Sequence, residues 1–133
     1  MKTPVLILGG DHWQRETLAA ALAYEGFHAE HTGDVAMAMG LLESTLFCLL
    51  LIDPTEPSIG GQEAVERILA CHPGLPTIVL SSNDEYLGAG STGRGIERIS
   101  KPVDYFALVD AIDRLLANPP NSFKCRHVNA SSG

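Results

Sequence analysis

The sequence predicts an α/β domain: a five-stranded, parallel, doubly wound sheet with helices on both faces. Three observations carry that expectation. Strand-like runs recur at 4–8, 28–32, 47–52, 76–81 and 96–100, and segments of helical periodicity separate most of them. The runs Val5-Leu6-Ile7-Leu8 and Leu49-Leu50-Leu51-Ile52 are unbroken apolar stretches, as strands covered on both faces tend to be. Finally, Asp53 ends the second run and enters Pro54-Thr55-Glu56-Pro57, with Gly60-Gly61 beyond. A lone carboxylate at the carboxyl end of a buried strand is where open α/β sheets put their chemistry.

The helices follow in order. Residues 12–25 carry Leu18, Ala21 and Leu22 on successive turns and stop at Gly26, a C-terminal signal; Asp11 is placed to cap the start. Residues 34–44 open on Asp34 as N-cap and direct Val35, Met37, Ala38, Leu41 and Leu42 inward. Residues 61–72 place Ala64, Val65, Ile68 and Leu69 on one face, and His72-Pro73-Gly74 ends them. Residues 104–117 repeat Phe106, Leu108-Val109, Ile112 and Leu115-Leu116 after an Asp104 cap.

One connection breaks the rhythm. Between Ser82 and Ile96 lie Gly88, Gly90, Gly93 and Gly95, and each glycine costs a helix about 1 kcal/mol relative to alanine. At most one turn near 84–87 is expected, so the fourth helix of the pattern is short or missing. From Asn118 the chain loses periodicity and reads as a flexible tail or the start of a linker, giving a domain over 1–117 and a tail over 118–133.

Composition narrows the function classes. Nine basic against sixteen acidic residues give a net charge of −7, which disfavours direct nucleic-acid binding. The apolar stretch near the N-terminus is too short for a signal or membrane segment. Cys48, Cys71 and Cys125 lack metal-type spacing; Cys48 and Cys71 read as small hydrophobes, and a cytoplasmic location is the expectation. The five histidines do not fall at ligand spacing, and Gly9-Gly10 alone lacks the dinucleotide-binding fingerprint.

Four features then align: a strand ending at residue 8 with Arg15 and Leu18 in the helix behind it; Asp53 with Pro57 four and Gly61 eight residues later; Ser81 ending the fourth strand; and Lys101-Pro102 ending the fifth. Over residues 4–117 this pattern resembles the receiver domain of bacterial two-component response regulators, a flavodoxin-like fold. The resemblance implies that Asp53 is the phosphoacceptor, attacking a phosphoryl group donated by a sensor histidine kinase to form an acyl phosphate. It implies that the Ser81 hydroxyl and the Lys101 ammonium meet phosphoryl oxygens, Lys101 also contacting the unphosphorylated Asp53. It implies a Mg²⁺ ion near Asp53 and the Thr55 carbonyl, and a cis Lys101–Pro102 bond.

The departures from the family pattern shape the functional expectation. Gly9 and Gly10 stand where competent receivers carry the acidic pair that holds Mg²⁺, leaving Asp11 as the only neighbouring acid. Losing a carboxylate beside the ion removes electrostatic attraction that would help to hold it. Arg98 stands where the family places a switch aromatic, and an arginine is costly to bury there. The expectation is an atypical receiver, weakly or not phosphorylated, that is no enzyme in its own right and acts through protein contacts. Its partners are a sensor histidine kinase or other signalling protein and a C-terminal effector domain; homodimerisation is compatible with this reading. The alternatives are an ordinary Mg²⁺-dependent receiver using Asp11 or Glu56 as substitute ligands, and a small-ligand sensor with a pocket under Gly88–Gly95.

Overall fold

The structure, a computed structural model, describes residues 3–9, 11–53, 61–72, 74–81, 96–101 and 103–117. Chain order is β1 (Thr3–Gly9), α1 (His12–Tyr24), β2 (Phe27–Thr32), α2 (Val35–Ser44), β3 (Leu49–Asp53), α3 (Gly61–Cys71), β4 (Thr77–Ser81), β5 (Ile96–Ser100) and α4 (Tyr105–Ala117). The strands form one sheet in the order β2-β1-β3-β4-β5, and every pairing is parallel. The reversal of strand order about β1 puts helices on both faces. The predicted fold class and all nine predicted elements are present. The Gly-rich connection between β4 and β5, with its expected helical turn at 84–87, and the tail over 118–133 lie outside the described residues.

Two apolar layers hold the sheet, one per face, because successive strand residues point to opposite sides. Val5, Ile7, Leu49, Leu51, Ile78 and Leu80 pack against Leu18 and Leu22 of α1 and Leu108, Ile112 and Leu115 of α4. Leu6, Leu8, Leu50, Ile52 and Val79 pack against Ala38 of α2 and Ile68 of α3. Burying each such Leu or Ile contributes about 2 kcal/mol, and the two layers together fix the register that brings the strand ends level.

Local signals set the boundaries. Asp11 accepts from the Gln14 amide at 2.7 Å, Asp34 from the Ala36 amide at 2.9 Å, and Asp104 from the Phe106 amide at 2.9 Å. All three caps satisfy amides that the helix start leaves without an intrahelical partner. Gly26 ends α1 at φ 98°, a left-handed conformation that disfavours other residues. Across the β2–α2 turn, a Cβ on Gly33 would lie 2.7 Å from Nη1 of Arg15, so a side chain there would have to displace the α1 guanidinium.

Some expectations need correction. Met37 and Phe106, read as core, are 56% and 90% exposed. Met37 precedes the buried Ala38 by about 100° of helix, and Phe106 lies in the first turn of α4, ahead of the buried stripe that starts at Leu108. Cys71, read as a small hydrophobe, is an exposed free thiol at the end of α3. Cys48, read as a small hydrophobe, is buried and disulfide-bonded.

Candidate functional site

The site lies at the carboxyl end of the central strands. Asp53 is the last residue of β3 and only 3% exposed. β3 reaches this point flanked by β1 and β4, with both faces covered, and so delivers a carboxylate to the edge of a dry interior. A carboxylate there is costly unless paired. Lys101, the first residue after β5, supplies the pair: its Nζ lies 2.6 Å from Oδ2 of Asp53. The ammonium arrives over the end of β4, which separates the two strands in the sheet. The lysine stem is largely covered and its head reaches the pair from the rim, with a quarter of the side chain exposed.

Ser81 is the terminal residue of β4, opposite Ser100 in the β4–β5 register, so its backbone stands between the strands that lead to Asp53 and Lys101. Thr55, Glu56, Pro57, Gly10 and Pro102, with the expected carbonyl ligand, the substitute acid and the cis bond, lie outside the described residues.

The Mg²⁺ expectation rests on the acids around this strand end. Directly opposite Asp53 in the β1–β3 register is Gly9, which contributes no carboxylate. Asp11, which follows this strand, is exposed and engaged as the N-cap of α1. One Asp53 oxygen is engaged by Lys101. Among the described residues, no group of three or more His, Cys, Asp or Glu side chains is placed to hold a metal ion. Mg²⁺ is a small ion that needs near-octahedral oxygen ligation, and the expected Thr55 carbonyl lies outside the described residues.

Arg98, at the position of the family's switch aromatic, is half-buried in β5 opposite Val79, and its Nη1 donates to Ser100 Oγ at 3.0 Å. Trp13 is 75% exposed on the first turn of α1, so it does not pack under the site. One juxtaposition was invisible in the sequence. His12 of α1 and His31 of β2 lie edge to face, ring centroids 5.8 Å apart, with His12 Nε2 also 3.3 Å from Glu16 Oε2. The β1–α1–β2 unit brings the two rings together; no spacing rule links positions so far apart. Away from the strand ends, Arg114 of α4 bridges Glu97 of β5 and Asp110, and that pairing raises its pKa, the Glu97 hydrogen bond first among the causes.

Comparison with known proteins bears on this geometry. No family model matches the sequence. The chain is 27% identical over 115 residues to a protein described as "Probable transcriptional regulatory protein TcrX" of Mycobacterium tuberculosis, a match covering 85% of this chain and 48% of that one. It is 26% identical over 119 residues to the response regulator MprA of the same species, covering 88% of this chain and 50% of that one. The chain thus spans about half the length of these relatives. Among solved structures, a CheY-like response regulator receiver domain from Methylobacillus flagellatus superposes with a TM-score of 0.76 at 19% identity, covering 86% of this chain and 99% of that one. This chain has the receiver fold. The receiver domain of the sensor histidine kinase PA1611 from Pseudomonas aeruginosa, TM-score 0.73 at 20% identity over 86% of this chain and 97% of that one, carries a magnesium ion in its active site cleft. This chain keeps the aspartate and lysine of its resemblance in contact, with glycine facing that aspartate. No helix among the described residues is long and apolar enough to cross a membrane.

Proposed function

We propose that this chain is an atypical receiver module of two-component signalling, weakly or not phosphorylated, whose output is a protein contact. The observation that carries the reading is the pairing of the buried Asp53 with Lys101 at 2.6 Å, combined with Gly9 opposite it. The Lys101 ammonium already neutralises Asp53, and it holds the ends of β3 and β5 in one arrangement without a phosphoryl group. With no second carboxylate at Gly9, Mg²⁺ is held weakly, and the charge stabilisation that phosphoryl transfer requires is reduced. Arg98 in place of an aromatic removes the usual inward-turning readout.

In this reading the module has no independent enzymatic activity. It meets a sensor kinase or other signalling protein, and an effector domain accompanies it, as the greater length of the curated relatives suggests.

The test is intact mass after incubation with Mg²⁺ and a small acyl-phosphate donor, with Asp53→Ala alongside. The expected result is little or no adduct on a folded domain. A phosphoryl adduct formed rapidly and lost in Asp53→Ala would overturn the reading in favour of an ordinary phospho-accepting receiver. That second reading is favoured by the buried Asp53 and its lysine, which are the groups an acyl phosphate would need.

A further inference from the structure

A groove of about 540 Å³ runs between the end of α1 and the first half of α4, away from the Asp53 site. Leu22, Leu108 and Val109 line it, and Tyr24, Tyr105 and Phe106 stand at its edge, Tyr24 and Phe106 almost wholly exposed. Half of the six large hydrophobics exposed among the described residues therefore gather at one groove instead of scattering. At about 200 Å² for a whole aromatic side chain, they open roughly 400 Å² to solvent, the size of patch that marks a docking surface on a monomer.

The rim fixes the charge of the occupant. Every charged side chain lining the groove is acidic: Glu25 on the α1 side, Asp110 and Asp113 on the α4 side. Arg114 already bridges Asp110, whereas Glu25 and Asp113 carry no ion pair among the described residues. Glu25 is also the C-cap of α1, whose last turn holds no basic residue, so the negative end of the helix dipole opens onto the same rim. Both walls are helices, whose backbone groups bond internally. They offer no strand edge, so an occupant must satisfy its own backbone, as a helix does. We propose that this groove binds an amphipathic helix of a separate protein, its apolar stripe on Leu22, Leu108 and Phe106 and its Lys or Arg flanks facing Glu25 and Asp113.

The dimensions suit such a helix. Phe106, Val109 and Asp113 succeed one another along α4 at about one turn each, about 10 Å in all, so two turns of a partner cover them. A second copy of this chain is the poorer occupant. Its net charge is −7, and a two-fold contact through this patch would set the same acids of both copies against one another. The inference rests on the reading of the chain as a protein-contact module, and it does not depend on whether Asp53 accepts phosphate. The mass measurement on Asp53 and the binding measurement on the groove can therefore fail separately.

The experiment is an NMR titration of the isotope-labelled full chain with three synthetic peptides of about 18 residues, or five helical turns. One carries leucines at i, i+3, i+4 and i+7 flanked by lysines; the second has the same residues in scrambled order; the third keeps the pattern with glutamates for lysines. The patterned basic peptide is expected to shift the amide signals of residues 21–25 and 105–113, and the other two to leave them in place. Phe106→Ser is expected to weaken that binding several-fold. Glu25→Lys/Asp113→Lys is expected to abolish it and to admit the glutamate peptide instead. All three positions are exposed, and an unchanged spectrum away from the groove shows each variant folded. Equal shifts from the scrambled isomer, which would be bulk charge attraction only, overturn the proposal, as do shifts confined to other surfaces or none at all. Groove signals that move with protein concentration while a dimer sediments also overturn it and give the groove to a second copy.

Discussion

Gly9 and Asp53 face each other across the β1–β3 ladder, and Gly9 holds φ at 91°. The position opposite the buried carboxylate therefore lacks a charge and also has a backbone conformation that a side chain resists. Gly9→Ala should lower stability by about 1–2 kcal/mol, the cost of a left-handed residue bearing Cβ. Urea denaturation measures it; an unchanged midpoint would show that the strand end relaxes freely.

Removing Lys101 takes away the ammonium 2.6 Å from the buried Asp53 carboxylate. Lys101→Ala is expected to cost about 2–4 kcal/mol, near the range for stranding one member of a buried pair and tempered by the partial exposure of the lysine. In a double-mutant cycle with Asp53→Asn, the second loss should be smaller than the first. Additive losses would mean that the 2.6 Å contact carries no net energy.

Asp11 acts as a helix cap. Asp11→Ala should therefore destabilise the domain by about 1 kcal/mol. A Mg²⁺ titration followed by isothermal calorimetry should be the same before and after the substitution. A drop in metal affinity would assign Asp11 to the metal after all.

Gly33→Ala presses a methyl group toward the Arg15 guanidinium. Because the obstruction is the far end of a side chain, the loss should be near 1 kcal/mol and should largely vanish in an Arg15→Ala background. Thermal denaturation of the two single variants and the double variant reads this coupling.

Much of the frame was legible in the residues. Asp34, Asp104 and Gly26 announced their boundaries because capping and left-handed turns depend on a few neighbouring atoms. The apolar runs around Leu6 and Leu50 announced central strands because both faces had to be covered. Asp53 and Lys101 were legible as a pair through family resemblance, and the contact is present. Less legible were features set by helix phase and by packing between distant segments. Met37 and Phe106 differ from their buried neighbours by a rotation of the helix that hydrophobicity alone does not register. The His12–His31 contact, and the fit of Arg15 against Gly33, exist only after α1 has docked beside β2. The disulfide at Cys48 was likewise absent from any local spacing.

The Asp53–Lys101 contact has a consequence for the order of assembly. β1 and β2 meet through one intervening helix, pairing Thr3 with Phe27, whereas the contact joins residues separated by 48 positions and waits for β4 and β5 to add to the sheet. Closure over the longer segment carries the greater entropic cost. The ion pair should therefore form late in folding: weakening it would accelerate unfolding while leaving the folding rate almost untouched. The residues that define the site would act as a kinetic latch on a sheet already built.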